Sequence, residues 1–433
     1  MSPLYSWYGD DFTGSTDALE AVASRGLKSV LFPDPPDARL LARFSDCQAI
    51  GIAGESRSHG PQWMDAHLPP VLESLRAIGA PLCHYKVCST FDSSPEFGSI
   101  GRALEIGRRV FGTPWVPIAM AAPHLKRYVL FGNLFAVAAG AVHRIDRHPN
   151  MSRHPVTPMG EADLRLHLAK QTALRIGLVD IVALESGLGE AFLEDALAAS
   201  PDAVLFDGLL EPSIEEAGRL IWSHRTAAPL FCLGSSGLTH ALMLHWRSLG
   251  MLPPVVLPPP VAPVDRLIVI SGSCSPATEA QLRWAMEHGY AGFRVAGDDV
   301  LPAATAALTA GRNVVLYSAL GPADCAGPPR GGALRGEALG RHLGSLLLEL
   351  IRRSGVRRAL VAGGDTSSHA VRRLGMEALT FAGLLSPGAP LCRGYSSDPL
   401  VDGLELVLKG GQVGPPEFFE MVRTGLAIQK GNR

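Results

Sequence analysis

Short apolar runs alternate with stretches of helical periodicity along most of the chain. Runs of this kind, separated by helical segments, are typical of βαβ units that build a mainly parallel sheet. The predicted strands are Leu4 to Tyr8, Ser29 to Phe32, Ala49 to Ile52, Cys83 to Val87, Trp115 to Ile118, Val204 to Phe206, Leu230 to Leu233, Leu267 to Ile270, Phe293 to Val295, Val314 to Tyr317, Ala359 to Ala362 and Leu404 to Leu408. The pattern therefore predicts an α/β protein.

One amphipathic helix is especially clear, between residues 339 and 350. Leucines recur there at offsets of four, seven, eight and eleven, which places them on one face of a helix. By contrast, Leu164, Leu166 and Leu168 alternate with period two where a helix would be expected. The pattern leaves that segment open between helix and strand.

A proline-rich segment, Leu252 to Asp265, interrupts the rhythm of strands and helices. Proline blocks both helix and central strand and favours extended, semi-rigid chain, so this segment is predicted to link two domains. We expect a first domain over residues 1–251, a linker over 252–265 and a second domain over 266–433. A chain of 433 residues exceeds what one hydrophobic core normally organises, which agrees with two domains, each a mainly parallel sheet flanked by helices.

Composition and charge exclude several classes of protein. Hydrophobic residues make up 47% of the chain and charged residues only 18%, which excludes a disordered chain. The 39 Lys and Arg against 41 Asp and Glu give a net charge of -2 without blocks of like charge, so a nucleic-acid or anionic-membrane surface is not expected. Any anion that the protein binds should be small.

The predicted compartment is the cytoplasm. The seven cysteines form no CxxC pair and are odd in number, so we expect reduced thiols. Asp10 and Asp11 stand where a signal peptide would need apolar residues. The longest apolar stretch, Tyr128 to Val142, is interrupted by Asn133 and falls short of the ~18 apolar residues of a membrane span. Up to Ala141 it is most simply interpreted as a core element.

Polar residues follow the first, third and fourth predicted strands. Open α/β sheets bind ligands beyond the carboxyl ends of their strands, so these residues are candidates for a site. Asp10 and Asp11 follow the first strand, Arg57 the third, and Lys86 with several hydroxyl groups the fourth. Each alone could be a turn, helix-cap or exposed loop residue. Paired carboxylates at one strand end, and two cations beside hydroxyl groups, favour a pocket for a small acidic polyol.

A basic run over residues 143–155 carries three arginines and three histidines. Metal ligation is not favoured, because no HExxH or CxxC accompanies the histidines. A loop that covers an anionic substrate, or one that forms salt bridges to a neighbouring subunit, is the preferred interpretation.

Three turns rich in small residues follow strands of the second domain, at residues 271–278, 363–368 and 409–414. Small residues let backbone amides approach a phosphate, and a helix N-terminus adds partial positive charge. Their alternative interpretation is ordinary strand-to-helix loops, and a fourth turn at 234–237 ranks below them for lack of a charged neighbour. The chain has no GxxxxGK[ST], GxGxxG or GxSxG, which disfavours a P-loop ATPase, a standard dinucleotide-binding fold and covalent serine catalysis.

Several motifs, in order along the whole chain, resemble those of the four-carbon acid sugar kinases. They are GDDFTGSTDALE at 9–20, YKVCSTFDSSPEFGSIG at 85–101, DRHPNMSRHPVTPM at 146–159, SGSCSPAT at 271–278 and GGDTSS at 363–368. The resemblance implies an N-terminal acid-sugar domain, a C-terminal nucleotide domain and catalysis at the cleft between them. It also implies ATP-dependent phosphorylation of a terminal hydroxyl group on a tetronate-type acid.

Carried over to this chain, the resemblance implies two sets of site residues. The acid sugar would be held by Asp10, Asp11, Arg57, Lys86, Cys88, Ser89 and Thr90. ATP, together with Mg²⁺, would be held by Ser271, Ser273, Ser275, Gly363, Gly364, Asp365, Thr366 and Gly411. We hypothesise that Arg57 and Lys86 fix the substrate carboxylate and that Asp11 orients the hydroxyl groups. Asp365 is the first candidate for the catalytic base or a metal contact, and Asp11 the second.

The substrate is less tightly specified than the family. The CSTFDS form of the fourth loop resembles the 3-oxo-tetronate kinase branch, so a 3-oxo-tetronate phosphorylated at its 4-hydroxyl is the first expectation, with 3-oxo-isoapionate, D-threonate and D-erythronate as alternatives. Two features depart from the family pattern: Tyr8-Gly9 before the paired acids, and KGGQVG where KSGNFG is commoner. A non-catalytic sugar-acid sensor, a Schiff-base isomerase or aldolase that uses Lys86, and a homodimer stay open.

Overall fold

The structure, a computed structural model, describes residues 3–138, 140–154, 156–255, 260–295, 299–325, 334 and 336–426, without the side chain of Asp365. Part of the predicted linker (256–259), Ala139 and Pro155 therefore lie outside the described residues. The chain divides into two compact units. Unit 1 comprises Met1–Asp10, Ala21–Ser29 and Ala42–Val256, and unit 2 comprises Asp11–Glu20, Val30–Leu41 and Leu257–Arg433. The domain boundaries drawn from the sequence stay a prediction.

Every strand predicted from the apolar runs is present, within two residues at each end. The strands are β1 (Tyr5–Gly9), β2 (Ser29–Phe32), β3 (Ala49–Ala53), β4 (Leu82–Lys86), β5 (Val116–Ala119), β6 (Arg127–Leu130), β7 (Asn133–Ala138), β8 (Ala141–Arg144), β9 (Ile176–Val179), β10 (Ala203–Phe206), β11 (Leu230–Gly234), β12 (Ile268–Ser271), β13 (Ala291–Arg294), β14 (Val314–Tyr317), β15 (Arg358–Ala362), β16 (Met376–Ser386), β17 (Ala389–Ser396) and β18 (Glu405–Lys409).

Helices connect most of these strands. They are α1 (Phe12–Ala23), α2 (Ala38–Ala42), α3 (Pro61–Ile78), α4 (Ile100–Phe111), α5 (Leu164–Leu168), α6 (Ile181–Glu185), α7 (Gly189–Ala198), α8 (Glu211–Ser223), α9 (Ser236–Ser248), α10 (Pro276–Glu287), α11 (Leu301–Thr309), α12 (Pro322–Cys325), α13 (Gly336–Ser354), α14 (Gly364–Arg373) and α15 (Phe418–Thr424). The leucine-rich helix predicted around residues 339–350 is confirmed as α13, and the segment left open at 164–168 is the short helix α5.

Unit 1 contains a parallel sheet in the order β3-β1-β4-β11-β5-β10-β9. Its inner strands are buried throughout, because helices cover both faces of a parallel sheet. That burial explains why these strands read in the sequence as continuous apolar runs rather than as alternating ones. The α/β fold class predicted from the sequence is confirmed here.

Unit 2 contains a mixed sheet in the order β13-β14-β12-β15-β18-β17-β16-β2. Five neighbouring strands pair in parallel, in the order β13-β14-β12-β15-β18. Next to them, β17 and β16 form an antiparallel hairpin at residues 376–396. The sequence analysis missed this hairpin, because β-bulges interrupt the regular alternation of its side chains. The sheet is nevertheless mainly parallel, as predicted.

The apolar segment at 128–141 is a half-buried sheet rather than a fully buried core element. It belongs to the antiparallel sheet β6-β7-β8, in which Val129 and Leu134 are buried. These two residues and Ala136 belong to the hydrophobic core, whereas Phe131 is more than half exposed, so the prediction holds for one face of the segment only. An antiparallel sheet of this kind can bury one face and expose the other.

One expectation about the cysteines is wrong. Cys274 and Cys325 form a disulfide bond, with Cα atoms 6.2 Å apart, so the thiols are not all reduced. Cys47, Cys83, Cys88, Cys232 and Cys392 are free. The two bonded residues are 51 positions apart, a separation that no spacing rule links. No helix in the described ranges is both long enough and apolar enough to span a membrane.

The packing of α4 on the sheet of unit 1 leads to a stability prediction. A Cβ atom on Gly107 would stand 2.0 Å from Phe231 Cζ, so Gly107→Ala should lower the free energy of unfolding by about 1–3 kcal/mol through overpacking. Gly160→Ala is the matched control, because nothing lies within 4 Å of its Cβ position. Urea unfolding of both variants measures the difference. Equal stability of the two variants would contradict the described helix packing.

Candidate functional site

Polar residues collect at the carboxyl ends of β3, β1 and β4 in unit 1. Gly9, at the end of β1, pairs in register with Ala53 of β3 and Lys86 of β4. The backbone then holds the following loops together: Asp10 N donates to the Lys86 carbonyl oxygen at 3.0 Å, and Arg57 N donates to the Asp10 carbonyl oxygen at 3.1 Å. The structure therefore brings these sequence-predicted residues to one edge of the sheet.

The guanidinium group of Arg57 binds the carboxylate of Asp10 through two parallel hydrogen bonds. Nε donates to Oδ2 at 3.1 Å and Nη2 donates to Oδ1 at 2.6 Å. The Asp10 side chain is only 7% exposed, which makes this a largely desolvated pair. The pair fixes the orientation of Arg57. It also partly neutralises the guanidinium group, which the sequence analysis predicted to bind the substrate carboxylate.

The loop after β4 presents Lys86, Cys88, Ser89 and Thr90. Lys86 is buried, and Cys88 Sγ lies 3.0 Å from Thr90 Oγ1, which donates to Asp92 Oδ1 at 2.5 Å. Burial raises the pKa of the Cys88 thiol, and the charge of Asp92 adds to this, while Arg57 and Lys86 act in the opposite direction. Arg57, Lys86 and Cys88 thus share one electrostatic environment.

Tyr8, the residue before the last one of β1, belongs to one of the two departures from the family pattern that the sequence shows. Tyr8 is 3% exposed and stacks on Tyr85, with ring centroids 5.3 Å apart. Its ring fills the space beside Gly54, where a Cβ atom would stand 2.0 Å from the Tyr8 hydroxyl oxygen. Burial raises the pKa of Tyr8 to about 12. Tyr8 therefore packs as a neutral wall of this loop cluster.

Arg127 is a third cation near Cys88, and the sequence analysis did not single it out. Its Nη1 donates to the Leu125 and Lys126 carbonyl oxygens at 3.0 and 3.1 Å, while its Nε is buried and has no hydrogen-bond partner in the described part of the chain. Burial lowers the pKa of Arg127, and the Cys88 thiol partly offsets this. A buried guanidinium nitrogen without a partner is costly, so an incoming anion would satisfy it.

His148 places the basic run of residues 143–155 in the same neighbourhood. Burial lowers the pKa of His148, and the charges of Arg127 and His143 lower it further. The ring Nδ1 accepts from the backbone of Asn150 and Met151 at 3.3 and 3.2 Å. No residue pattern identifies Arg127 in the sequence, since it is simply the first residue of the strand β6. The basic run nearby was the available signal.

In unit 2, three neighbouring parallel strands deliver the three small-residue turns to one edge. β12 pairs with β15, and β15 pairs with β18. The chain continues these pairings into the turns, where Gly272 N donates to the Ala362 carbonyl oxygen at 3.1 Å and Gly363 N donates to the Lys409 carbonyl oxygen at 2.9 Å. The three turns that the sequence analysis identified therefore lie side by side.

Glycine is required where these turns approach one another. A Cβ atom on Gly272 would stand 2.2 Å from Thr366 Oγ1, and one on Gly411 would stand 2.7 Å from Ser273 Oγ. Gly363 has a φ angle of 120°, which side-chain-bearing residues rarely adopt, and its Cβ position is 3.6 Å from Ser273 N. Backbone amides and small hydroxyl groups are thereby concentrated in a small volume.

The first turns of α10 hold the last glycine turn in place. Ser275 caps α10 by accepting from Thr278 N at 3.1 Å, and its hydroxyl donates to the Gly411 carbonyl oxygen. Thr278 Oγ1 donates to the same oxygen at 2.8 Å, and Gln281 Nε2 donates to the carbonyl oxygens of residues 413–415. Side chains spaced three residues apart on one helix thus fix the turn at 410–415.

Asp11 belongs to unit 2, whereas its neighbour Asp10 belongs to unit 1. The Asp11 carboxylate accepts from Gly14 N at 2.6 Å and from Thr13 Oγ1 at 3.1 Å, as a helix-capping residue does. Its Oδ2 also lies 3.7 Å from the Cβ position of Gly364. Asp11 therefore lies beside the second glycine turn.

Of the remaining predicted residues of unit 2, two are buried and one has a side chain outside the described residues. Ser271 is fully buried below its turn, and Thr366 is 6% exposed. Asp365 lies in the first turn of α14, and its side chain lies outside the described residues, so its role as base stays a prediction. In the part of the chain that can be described, no three His, Cys, Asp or Glu side chains lie close enough to hold a metal ion.

Comparison with known proteins identifies matches over both units. A family model described as a sugar-binding N-terminal domain matches residues 5–242, and one described as a nucleotide-binding C-terminal domain matches residues 268–419. The chain is 49% identical to a 3-oxo-isoapionate kinase of Paraburkholderia graminis, covering 98% of this chain and 94% of the relative. It is 30% identical to a 3-oxo-tetronate kinase of Pseudomonas savastanoi pv. phaseolicola, covering 98% of each. A solved Salmonella typhimurium LT2 structure matches with a TM-score of 0.78 and 25% identity, over 99% of this chain and 100% of that one.

The Asp10–Arg57 pair leads to a prediction for a double-mutant cycle. Because the pair is bidentate and Asp10 is nearly buried, Asp10→Ala and Arg57→Ala should couple by about 1–3 kcal/mol in the free energy of unfolding, measured in urea. The exposed pair Lys28–Asp46 is the control, and its two substitutions should be additive within error. Additivity at Asp10 and Arg57 as well would show that the described pair does not form.

Proposed function

The chain belongs to the four-carbon acid sugar kinase family and is a sugar-acid kinase, and on this premise we propose that it phosphorylates a terminal hydroxyl group of a 3-oxo-isoapionate-like branched acid. The single observation behind this choice is the gap in identity: 49% to the 3-oxo-isoapionate kinase against 27–31% to relatives named 3-oxo-tetronate kinase. The 3-oxo-tetronate expected from the CSTFDS loop is the second candidate.

The acid-sugar site is proposed to lie among the loops of unit 1. Lys86 and Arg127 are its carboxylate-binding cations, since the Nε of Arg127 has no partner among the described residues and Lys86 lies next to the same thiol. Arg57 acts as a positioning residue, because its guanidinium group is bound to Asp10. Cys88, Ser89 and Thr90 provide the hydrogen-bonding groups that contact substrate hydroxyls.

The ATP site is proposed to lie at the three turns of unit 2. Backbone amides of residues 271–275 and 363–366, apart from those of Gly272 and Gly363, which bond to neighbouring carbonyl oxygens, would contact the phosphates. The N-termini of α10 and α14 add positive potential. Gly411 and the hydroxyl groups of Ser273, Ser275 and Thr366 complete this set. Kinases of this kind use ATP, and we propose that Mg²⁺ arrives with the nucleotide as its counter-ion.

Phosphoryl transfer requires that an acceptor hydroxyl group lose its proton as its oxygen bonds to the γ-phosphorus and the bond to ADP breaks. Asp11 is proposed to orient that hydroxyl group and accept the proton. Two donors already fix its carboxylate, which leaves the group well oriented for this task. Asp365, the first candidate from the sequence, stays the alternative base. The predicted location of catalysis at a cleft between domains also stays a prediction.

A substrate screen tests the proposed specificity. Coupled ADP release should be fastest with 3-oxo-isoapionate, slower with 3-oxo-tetronate and slowest with D-threonate and D-erythronate, with phosphorus NMR fixing the position of the new ester. A higher kcat/KM for 3-oxo-tetronate would favour the second candidate instead. Binding of these acids without ADP release would indicate a sugar-acid sensor and contradict the kinase activity.

Arg127 offers a prediction that separates acid binding from nucleotide binding. Arg127→Met should raise the KM for the acid by roughly 10- to 100-fold, because a charge-assisted hydrogen bond contributes about 1.5–3 kcal/mol. The KM for ATP should stay the same. The exposed Arg109, changed to methionine, is the matched control and should leave both constants unchanged. An unchanged KM for the acid in Arg127→Met would remove Arg127 from carboxylate recognition.

A further inference from the structure

Lys409, the last residue of β18, has a fully buried side chain beneath the three turns of unit 2. Its Nζ donates to Thr278 Oγ1 at 3.0 Å and lies 3.5 Å from the Gly411 carbonyl oxygen. Its own carbonyl oxygen accepts from Gly363 N at 2.9 Å. One residue therefore touches all three turns, through Thr278, Gly411 and Gly363.

The Lys409 ammonium group has no carboxylate partner in the described part of unit 2. An ammonium group carries three donors, and a hydroxyl and a carbonyl oxygen satisfy two of them. Burial, the only cause that acts on it, lowers the pKa of Lys409 to about 7. A buried lysine of this kind is expensive to keep charged, and no described carboxylate is its counter-ion.

Among the described side chains of the surrounding elements, no charged group provides that counter-ion. The elements packed against Lys409 are α10, α14, β15 and β17. Their described titratable or charged side chains, with that of β18, are Glu279, Arg283 and Glu287 on α10, His369, Arg372 and Arg373 on α14, Arg358 on β15, Cys392, Arg393 and Tyr395 on β17, and Glu405 on β18. The carboxylate of Glu279 accepts from Arg283, and that of Glu405 accepts from Arg358, so both of these carboxylates are paired with arginines rather than with Lys409.

We propose that Lys409 is the cation of the nucleotide site, and that a phosphate group of the bound nucleotide is its missing counter-ion, so that nucleotide binding draws a proton onto this side chain. This inference rests on the proposed function, because it needs ATP at the three turns. It goes beyond the proposed function because it identifies a charged residue at the three turns, whose other proposed contacts to ATP are backbone amides and hydroxyl groups.

The proposal fixes the sign of a pH effect. A nearby phosphate favours the protonated form, so the pKa of Lys409 rises above its free value of about 7 when nucleotide binds. Between the free and bound pKa values, binding takes up a proton, and nucleotide affinity falls as pH rises through this window. Below the free pKa, the side chain is already charged and contributes no pH dependence.

Calorimetry of ADP binding in the presence of Mg²⁺ tests the proposal. Titrations at pH 8 in two buffers with different ionisation enthalpies measure the number of protons taken up. The wild-type protein should take up a large fraction of one proton, and its Kd should rise between pH 7 and pH 9. No uptake, with a Kd that is flat over this range, would overturn the proposal without the need for any variant.

Two variants separate charge from packing. Lys409→Gln keeps hydrogen-bond donors for Thr278 and the Gly411 carbonyl oxygen but removes the charge. It should weaken ADP binding by at least ~10-fold and abolish the proton uptake. Lys170→Met, at an exposed position in unit 1, is the matched control and should bind ADP as the wild type does. If Lys409→Gln binds ADP with wild-type affinity and takes up protons as the wild type does, Lys409 only holds the turns in place and does not bind the phosphate.

Failure of this inference is distinguishable from failure of the proposed function. If the wild type binds ADP without proton uptake, only the role of Lys409 is overturned, and the kinase proposal stands. If the wild type binds no ADP at any pH, both are overturned. If Lys409→Gln does not fold, as judged by circular dichroism, the wild-type proton count and pH profile still decide the matter.

Discussion

The pairing of β12, β15 and β18 as parallel neighbours is the constraint on which the nucleotide chemistry depends. Parallel strands end at the same edge, so the three turns that follow them must share one small volume. That volume admits no side chains at Gly272 or Gly411, and the backbone of Gly363 lies in a region open mainly to glycine. The glycines are therefore a consequence of the pairing. The glycines in turn let the hydroxyl groups of Thr366 and Ser273 lie against the backbone of these turns, and such donors are what an anionic ligand needs.

A second constraint is the treatment of buried charge. In unit 1, Arg57 and Asp10 satisfy each other through two hydrogen bonds, which makes a desolvated pair tolerable. Arg127 and Lys409 are different, because the Nε of Arg127 and the side chain of Lys409 are buried at candidate sites without a carboxylate partner in the described residues. The ion pair in unit 1 and the two cations without a carboxylate partner follow one rule: a buried cation needs a counter-ion. Where no described protein group provides the counter-ion, a bound anionic ligand can provide it. Both proposed ligands, the sugar acid and ATP, are anions.

The sequence was most informative where burial forces a simple pattern. Inner parallel strands such as β4 and β11 are apolar throughout, so their positions were predicted within two residues, and the turns after β12 and β15 followed from composition alone. It was least informative where the determinant is long-range. The β16-β17 hairpin has bulges that break its alternation, the Cys274–Cys325 bond joins residues 51 positions apart, and Arg127 gains its environment only when β6 packs near the β4 loop. No local pattern carries this information.

The paired acids after β1 show how one motif can serve two tasks. A strand end followed at once by a helix leaves Asp10 and Asp11 with different backbone environments, so adjacent carboxylates acquire different partners. Asp10 N bonds to β4 and its side chain binds Arg57, whereas Asp11 caps α1 and lies beside Gly364. The sequence analysis placed both on the acid sugar from the resemblance to the family, and made Asp11 the second candidate for the base. The contacts favour a division: Asp10 stabilises the loops of unit 1, whereas Asp11 is the carboxylate that we propose as the base. Such a division suits phosphoryl transfer, which needs alignment and charge neutralisation more than a covalent contribution from the protein.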